Sequence, residues 1–372
     1  MEVLNTLASH GYEARLVGGC VRDTLLGRSP HDYDVATSAL PEEVERCFNR
    51  TVPTGIRHGT VTVIIRSRAV EVTTYRREGA YSDHRRPDSV SYTPSLAEDL
   101  SRRDFTINAM AMDAHGDVTD LFGGREDLSL GLIRCVGEPG RRFEEDALRM
   151  LRAVRFAARL GFTIEGRTLA AIRERSGGCA LLSAERVGAE VRGILASPRP
   201  DMVWLLPELH LLDGYMRPGT HSRQSLAALP IYARTAHWCH ALERGGYIDS
   251  SESFLRALRM DNHTIKTASA AAHILATGSR DYKRLLRDYG REAVLAAYPH
   301  SRRLRSILRS GECYTLAALA ISGGDLAALG YSGRELGRAL NLALDHVIDH
   351  PGDNTRAALL QLITGGKYDE RT

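Results

Sequence analysis

Little in this chain points to a membrane or to an oxidising compartment. The six cysteines of its 372 residues, Cys20, Cys47, Cys135, Cys179, Cys239 and Cys313, are scattered and form no C-x-x-C pair. That spacing argues against a disulfide framework or a zinc site and implies reduced thiols in a cytoplasmic protein. No apolar run approaches the length that crosses a bilayer. The N-terminus carries an acid at Glu2 and lacks the apolar core of a secretory signal. Internal repeats and low-complexity tracts are absent. Net charge is only +3, with 43% hydrophobic and 26% charged residues, so no global field singles out a partner. A chain of this length reads as roughly two to four domains of an ordinary soluble protein. Charge is uneven locally: residues 280–309 hold nine Lys/Arg against three Asp/Glu. Such a stretch is usually a solvated helix face, but it also suits a phosphate backbone.

Against that plain background stands the segment Leu16-Val17-Gly18-Gly19-Cys20-Val21-Arg22-Asp23, followed by Asp32-Tyr33-Asp34. Two carboxylates at i and i+2 on a strand share a face. A Gly-Gly turn entering a helix offers backbone N–H groups to an anion, and Arg22 adds a fixed positive charge. Together these are the parts needed for Mg²⁺-dependent chemistry on a nucleoside triphosphate. An isolated Asp-x-Asp is more often a solvated turn or a cap, so the rest of the chain has to decide.

The pattern divides into an α/β first part and a helical remainder. Short helices are expected over 1–10, 21–26 and 41–48, and strands over 15–17 and 33–37. The β-branched runs 60–66 and 69–75 predict a hairpin turning at Ser67-Arg68. The polar stretch 76–91 reads as a long loop, and the apolar stretch 105–112 as a helix. Asp120-Leu121-Phe122-Gly123-Gly124 marks a turn. From Phe143 onward the periodicity is helical, with breaks at Gly161, 176–178, 197–200 and 218–220.

Five segments in this order resemble the class II tRNA nucleotidyltransferases, of the polymerase-β-like superfamily that also holds bacterial poly(A) polymerases. They are 16–37, 101–113 (SRRDFTINAMAMD), 120–124 (DLFGG), 144–162 (EEDALRMLRAVRFAARLGF) and 185–190 (ERVGAE). The resemblance implies an α+β fold: a nucleotidyltransferase head with a mixed sheet and helices over 1–137, then an all-α neck over 138–200, body over 201–280 and tail over 281–372. It implies that Asp32 and Asp34 hold two Mg²⁺ ions and that Glu71 completes the catalytic carboxylates. By residue type alone, Glu71 is an exposed strand residue. Gly18, Gly19 and Arg22 would contact the triphosphate, with Asp23 orienting Arg22. Arg103 and Asp104 would read the ribose, although Asp104 could equally cap a helix.

Asp146, Arg149, Arg152 and Arg155 recur every three residues, so on a regular helix the first three are neighbours. An Asp beside an Arg fork can imitate a Watson–Crick edge. It would accept the amino donor of cytosine or adenine and repel the carbonyl of uracil or guanine. The resemblance assigns base choice to this helix, chiefly to Asp146 and Arg149. Arg152 would meet phosphate or orient the pair, and Arg155 could be structural. The plain alternative is a salt-bridged helix surface.

The loop residues Glu78, Tyr81, Asp83, Arg85 and Arg86 match the family's flexible loop, which A-adding members have and C-only members lack. The function implied is template-independent addition of C-C-A to a tRNA 3′ end from CTP and ATP. A-adding enzymes and poly(A) polymerases are the near alternatives, and an inactive RNA-binding module is the distant one. His-Asp occurs only at His31-Asp32, which argues against an added phosphohydrolase domain. Contacts to the tRNA acceptor and TΨC arms are expected from Lys283, Arg284, Arg287, Arg291, Arg302, Arg303 and Arg305.

Overall fold

The computed structural model describes residues 1–56, 59–66, 68–79, 90–220 and 224–369. They form two compact units, Met1–Pro218 and Gly219–Thr372. The first unit runs α1 (Glu2–Ser9), β1 (Ala14–Val17), α2 (Gly19–Leu25), β2 (Asp34–Thr37), α3 (Pro41–Cys47), β3 (Thr51–Gly55), β4 (Thr60–Ile65), β5 (Arg68–Thr74), β6 (Arg76–Glu78), β7 (Val90–Tyr92) and α4 (Leu96–Ser101). It continues with β8 (Met110–Met112), β9 (Val118–Asp120), α5 (Gly124–Leu130), β10 (Leu132–Ile133), α6 (Pro139–Glu145), α7 (Leu148–Leu160), β11 (Thr163–Ile164), α8 (Gly166–Arg175), α9 (Ala184–Leu195) and α10 (Leu205–Glu208).

Seven strands make one mixed sheet in the order β3-β4-β5-β2-β1-β8-β9. Only β2 and β5 among its neighbours run parallel. Val35, Val61, Val63 and Val72 are buried in it. The face that carries Asp34 also carries Ala36 two residues on, and Ala36 packs with Val17, Tyr75, Ala111 and Leu100 of α4. One edge of the site therefore rests on a packed layer rather than on a loop.

The structure corrects the reading of 105–112 as a helix. Thr106–Asn108 is a single 3-10 turn, and Met110–Met112 is strand β8 between β1 and β9. All three β8 residues are buried. A central strand buried on both faces reads as a continuous apolar run, which periodicity cannot tell from a short buried helix. The hairpin of β4 and β5 forms as expected. The helical remainder is interrupted by one short strand, β11, paired in parallel with β10. The stretch 76–91 is not loop from its first residue: β6 and β7 pair at its base.

The DLFGG turn has a simple physical basis. Asp120 accepts backbone N–H bonds from Phe122, Gly124 and Arg125 and so starts α5. A Cβ on Gly124 would lie 2.3 Å from the Thr106 carbonyl oxygen, so only glycine fits there.

The second unit is helical: α11 (Ile231–Arg244), α12 (Ser251–Ala257), α13 (Asn262–Thr277), α14 (Tyr282–Ala297), α15 (Arg302–Ser310), α16 (Gly323–Ala328), α17 (Gly333–Asp349) and α18 (Arg356–Asp369). Trp238 of α11 meets Phe254 of α12 edge to face. A second cluster around Leu326, Ala343, Leu344 and Leu359 joins α16, α17 and α18. No helix among the described residues is long and apolar enough to cross a membrane.

Candidate active site

Register builds the carboxylate edge. Val17 pairs with Asp34 across β1 and β2, and Asp34 pairs with Glu71 across β2 and β5. The chain then leaves β1 through Gly18, whose φ of 75° belongs to the left-handed region. A Cβ there would come within 3.2 Å of Arg103 Nη1 and 3.8 Å of Asp34 Oδ2. Gly18 thus lets an arginine and a carboxylate close on the backbone. Strand β2 starts at Asp34, so Asp32 sits in the bend before it rather than on the strand. The two acids are brought together by that bend and not by strand alternation.

Loss of solvent, then the charge of Glu71, pushes the Asp34 carboxyl above the usual carboxylate range. Asp32 adds to the rise and Arg103 opposes it. Among the described residues no three His, Cys, Asp or Glu groups stand close enough together to hold a metal. The donor chemistry nonetheless fits a hard cation, because these are oxygen ligands whose mutual repulsion a divalent ion relieves.

Behind this edge the charges are closely paired. Asp99, 1% exposed, accepts from Arg102 Nη2 at 2.6 Å and from Arg103 Nη2 at 3.1 Å. Burial alone would raise the Asp99 carboxyl, but the two guanidinium groups hold it below its ordinary value. Arg22 is also buried. It donates to Asp23 Oδ1 at 2.9 Å and to Asn108 Oδ1 at 2.7 Å, and its guanidinium lies 5.4 Å from the Phe156 ring centre. Asp23 thus does pair with Arg22. Asp104 Oδ2 accepts from Arg152 Nε at 2.8 Å and Nη2 at 2.6 Å, and its Oδ1 from Asn108 Nδ2 at 3.1 Å. Burial works to raise the Asp104 carboxyl, yet Arg152 and Asn108 keep it below the usual range.

The second correction concerns the helix from Glu144. Asp146 is not helical: its φ of −148° and ψ of 104° end α6, and α7 starts two residues later. Asp146 Oδ1 accepts from the Leu148 N–H at the start of α7, and Oδ2 accepts from Arg186 Nη2 at 2.8 Å. Arg149 points elsewhere, to Glu145 Oε2 at 2.6 Å and to the carbonyls of Arg142 and Arg102. The three-residue recurrence therefore does not make Asp146 and Arg149 partners on one face. The physical reason is that Asp146 is extended and turns its carboxylate to the Leu148 N–H and to Arg186, a local alternative to helix that interrupts the count. Arg152 turns toward Asp104. Arg155 turns to α9, where Nε meets Glu190 Oε2 at 2.5 Å and its stem fills the space over Gly193.

In the second unit the basic stretch separates into two kinds of residue. Lys283 donates to the Ile348 carbonyl and pairs with Glu312, Arg284 pairs with Asp281 and Asp349, and Arg287 with Asp288 and Asp345. These three stitch α14 to α17. Arg302, Arg303 and Arg305 are exposed on α15. Arg302, Arg305, Ser306 and Arg309 line one groove, with Leu304 and Ile307 buried beneath. Among the described residues no carboxylate pairs with Arg302, Arg305 or Arg309, and the bonds of Arg305 go to the carbonyls of His300 and Ser301. Arg291 lies just after the Gly290 kink in α14. The side chain of Glu78 and residues Tyr81, Asp83, Arg85 and Arg86 lie outside the described residues.

Residue-type reasoning did not single out Asp99, Asn108 or Phe156. Asn108 stands four residues after Asp104 in the same short segment, which was the available signal.

Residues 14–134 match the family model described as "Poly A polymerase head domain", and residues 161–222 match the model described as "Probable RNA and SrmB- binding site of polymerase A". With the mixed sheet and its carboxylate edge, this places the head among nucleotidyltransferases of the poly(A) polymerase type. The CCA-adding enzyme of Lactiplantibacillus plantarum is 37% identical, the match covering 96% of this chain and 93% of that protein. That of Geobacillus stearothermophilus is 39% identical over 93% of this chain and 90% of that protein. The crystal structure of the Bacillus stearothermophilus CCA-adding enzyme in complex with CTP superposes with a TM-score of 0.82 at 34% identity, covering 100% of this chain and 97% of the other. The chain belongs to the CCA-adding enzyme family.

Proposed function

We propose that this enzyme completes tRNA 3′ ends with C-C-A, using CTP and ATP and no nucleic-acid template. The observation that carries the reading is the register pair Asp34–Glu71 on the interior strands β2 and β5, with Gly18 and Arg103 beside Asp34. Asp32 and Asp34 would hold two Mg²⁺ ions, with Glu71 alongside. When bound, the ions supply the charge that makes the primer hydroxyl a better nucleophile and pyrophosphate a better leaving group.

The chain's own groups do the rest. The primer 3′-oxygen forms a bond to the α-phosphorus, the bond to the β-phosphate bridge breaks, and the hydroxyl proton passes to the carboxylate side. The backbone at Gly18 and Gly19, with Arg22 behind it, faces the triphosphate. Arg103 and Asp104 face the ribose. Asp146 and Arg149 read the base edge, each exchanging its resting partner, Arg186 or Glu145, for the nucleotide. In this reading the head spans 1–137, the neck 138–200, the body 201–280 and the tail 281–372. The groove of Arg302, Arg305 and Arg309 meets the phosphates of the acceptor and TΨC arms, as expected for RNA read by shape and charge.

The test is a gel-resolved extension of tRNAs ending in N, C and CC, with ATP alone, CTP alone and both. Extension of all three to CCA supports the reading. Activity confined to the CC form makes the enzyme A-adding, and long A tracts make it a poly(A) polymerase.

A further inference from the structure

The side chain of Asn108 is buried and sits between two groups of opposite needs. Its Oδ1 accepts from Arg22 Nη1 at 2.7 Å, while its Nδ2 donates to Asp104 Oδ1 at 3.1 Å. An arginine can only donate and an ionised aspartate can only accept, so the amide has one workable orientation. A second connection runs past it. The guanidinium groups of Arg22 and Arg152 both lie against the Phe156 ring, at 5.4 Å and 5.2 Å, and Arg152 holds the other oxygen of Asp104. The five residues close a cycle: Arg22, Asn108, Asp104, Arg152, Phe156.

We propose that Asn108 is a positioning residue that ties recognition of the triphosphate to recognition of the ribose. The inference rests on the reading of Arg22 and Asp104 given above. A triphosphate that draws on Arg22 pulls, through Oδ1, on the amide that aims Asp104. Asp104 is then presented to the 2′-hydroxyl in the position set by a correctly seated phosphate. The enzyme in this way recognises a ribonucleoside triphosphate as a unit rather than as two separate handles. Only an amide serves here. Leucine of similar size would leave the buried Arg22 Nη1 without this acceptor and would leave Asp104 Oδ1 with the Phe105 N–H but no side-chain donor to aim it. Aspartate would keep Arg22 satisfied but turn a second carboxylate toward Asp104.

The experiment compares the wild type with Asn108→Leu and Asn108→Asp. It measures kcat and KM for ATP and dATP addition to a CC-ended tRNA, binding of ATP and dATP by calorimetry with Mg²⁺, and the melting temperature. Asn108→Leu should raise KM for ATP by about tenfold or more and reduce the ATP-to-dATP preference toward unity. Asn108→Asp should keep KM for dATP within about threefold of wild type, because Arg22 stays anchored, and still lose the preference.

If both variants retain the wild-type ATP-to-dATP ratio, the proposal is overturned. It is also overturned if ATP and dATP weaken equally in step with the melting temperature, since that would be packing alone, or if the wild type itself binds the two nucleotides equally. Failure of the wild type to extend tRNA would sink the proposed function instead, and the calorimetric ratios would still decide the role of Asn108.

Discussion

Asp34 and Glu71 are direct register partners on the two parallel strands of an otherwise antiparallel sheet. Their carboxylates share a face, and burial first and the charge of Glu71 second raise the Asp34 carboxyl, with Arg103 opposing. A group whose folded pKa is raised favours the fold below its unfolded value, and that advantage is lost as pH rises through the folded value. Above that folded value the ionised Asp34 therefore costs stability until a cation joins it. Asp34→Asn should lower kcat by roughly 10³-fold, about 4 kcal/mol, while raising the melting temperature measured in a chelator. A single-turnover assay and a thermal scan on the same protein check both halves. A variant that is inactive and less stable would contradict this account.

Asp99 and Asp104 carry the opposite sign. Both are buried and both are held below the ordinary value of 3.8 by arginines. Their contribution to stability is complete above that ordinary value and is lost as pH falls through the lowered ones. Asp99→Ala leaves Arg102 and Arg103 without their shared counter-charge and should cost roughly 3–5 kcal/mol. Denaturant unfolding at neutral pH measures the loss. The gap between variant and wild type should shrink only well below pH 4, a range set by the ordinary carboxylate value.

Arg155 on α7 and Asp146 just before it should behave differently. Arg155 bonds Glu190 of α9, so Arg155→Ala should cost about 3 kcal/mol by leaving a buried carboxylate unpaired, with the choice of C and A over U and G unchanged. Asp146→Ala should instead cost only roughly 1–2 kcal/mol, for the lost bonds to the Leu148 N–H and Arg186, and should relax that choice, as seen in misincorporation from single-nucleotide mixtures. A loss of base choice in the Arg155 variant would move base reading to the α9 side of the neck.

These contrasts also show how far the sequence carries. The Gly-Gly turn, the acid pair and the Arg103-Asp104 step are local, and the structure brings Gly18, Asp34 and Arg103 together where β1 ends and β2 begins. The pairing of Asp34 with Glu71 is a register between strands 37 positions apart, and only the family resemblance pointed to it. Two local readings failed for physical reasons. The segment 105–112 is buried on both sides, which erases its period. Asp146 is extended and bonds the Leu148 N–H with its side chain, so the helical count through it does not hold. The charge at 280–309 shows a third limit of reading locally. Lys283, Arg284 and Arg287 look available in the sequence, but their carboxylate partners Glu312, Asp345 and Asp349 lie well downstream and reach them only through tertiary packing.

That last distinction yields a test with two opposed outcomes. Arg302, Arg305 and Arg309 present their charge from one face of α15 with no carboxylate opposite among the described residues. Each phosphate they neutralise releases a counterion, so log affinity for RNA falls with log salt by about 0.7–0.9 per contact. Replacing all three by Ala should weaken tRNA binding most at low salt and flatten the slope by about 2. Arg284→Ala with Arg287→Ala removes charge of the same sign from the same unit, but those groups already answer Asp281, Asp345 and Asp349. This pair should leave the salt slope within error and lower the melting temperature instead, because among the described residues α17 loses two of its three side-chain ties to α14 and keeps only Lys283. Equal changes of slope in the two variants would mean that total charge, rather than the α15 face, governs tRNA affinity.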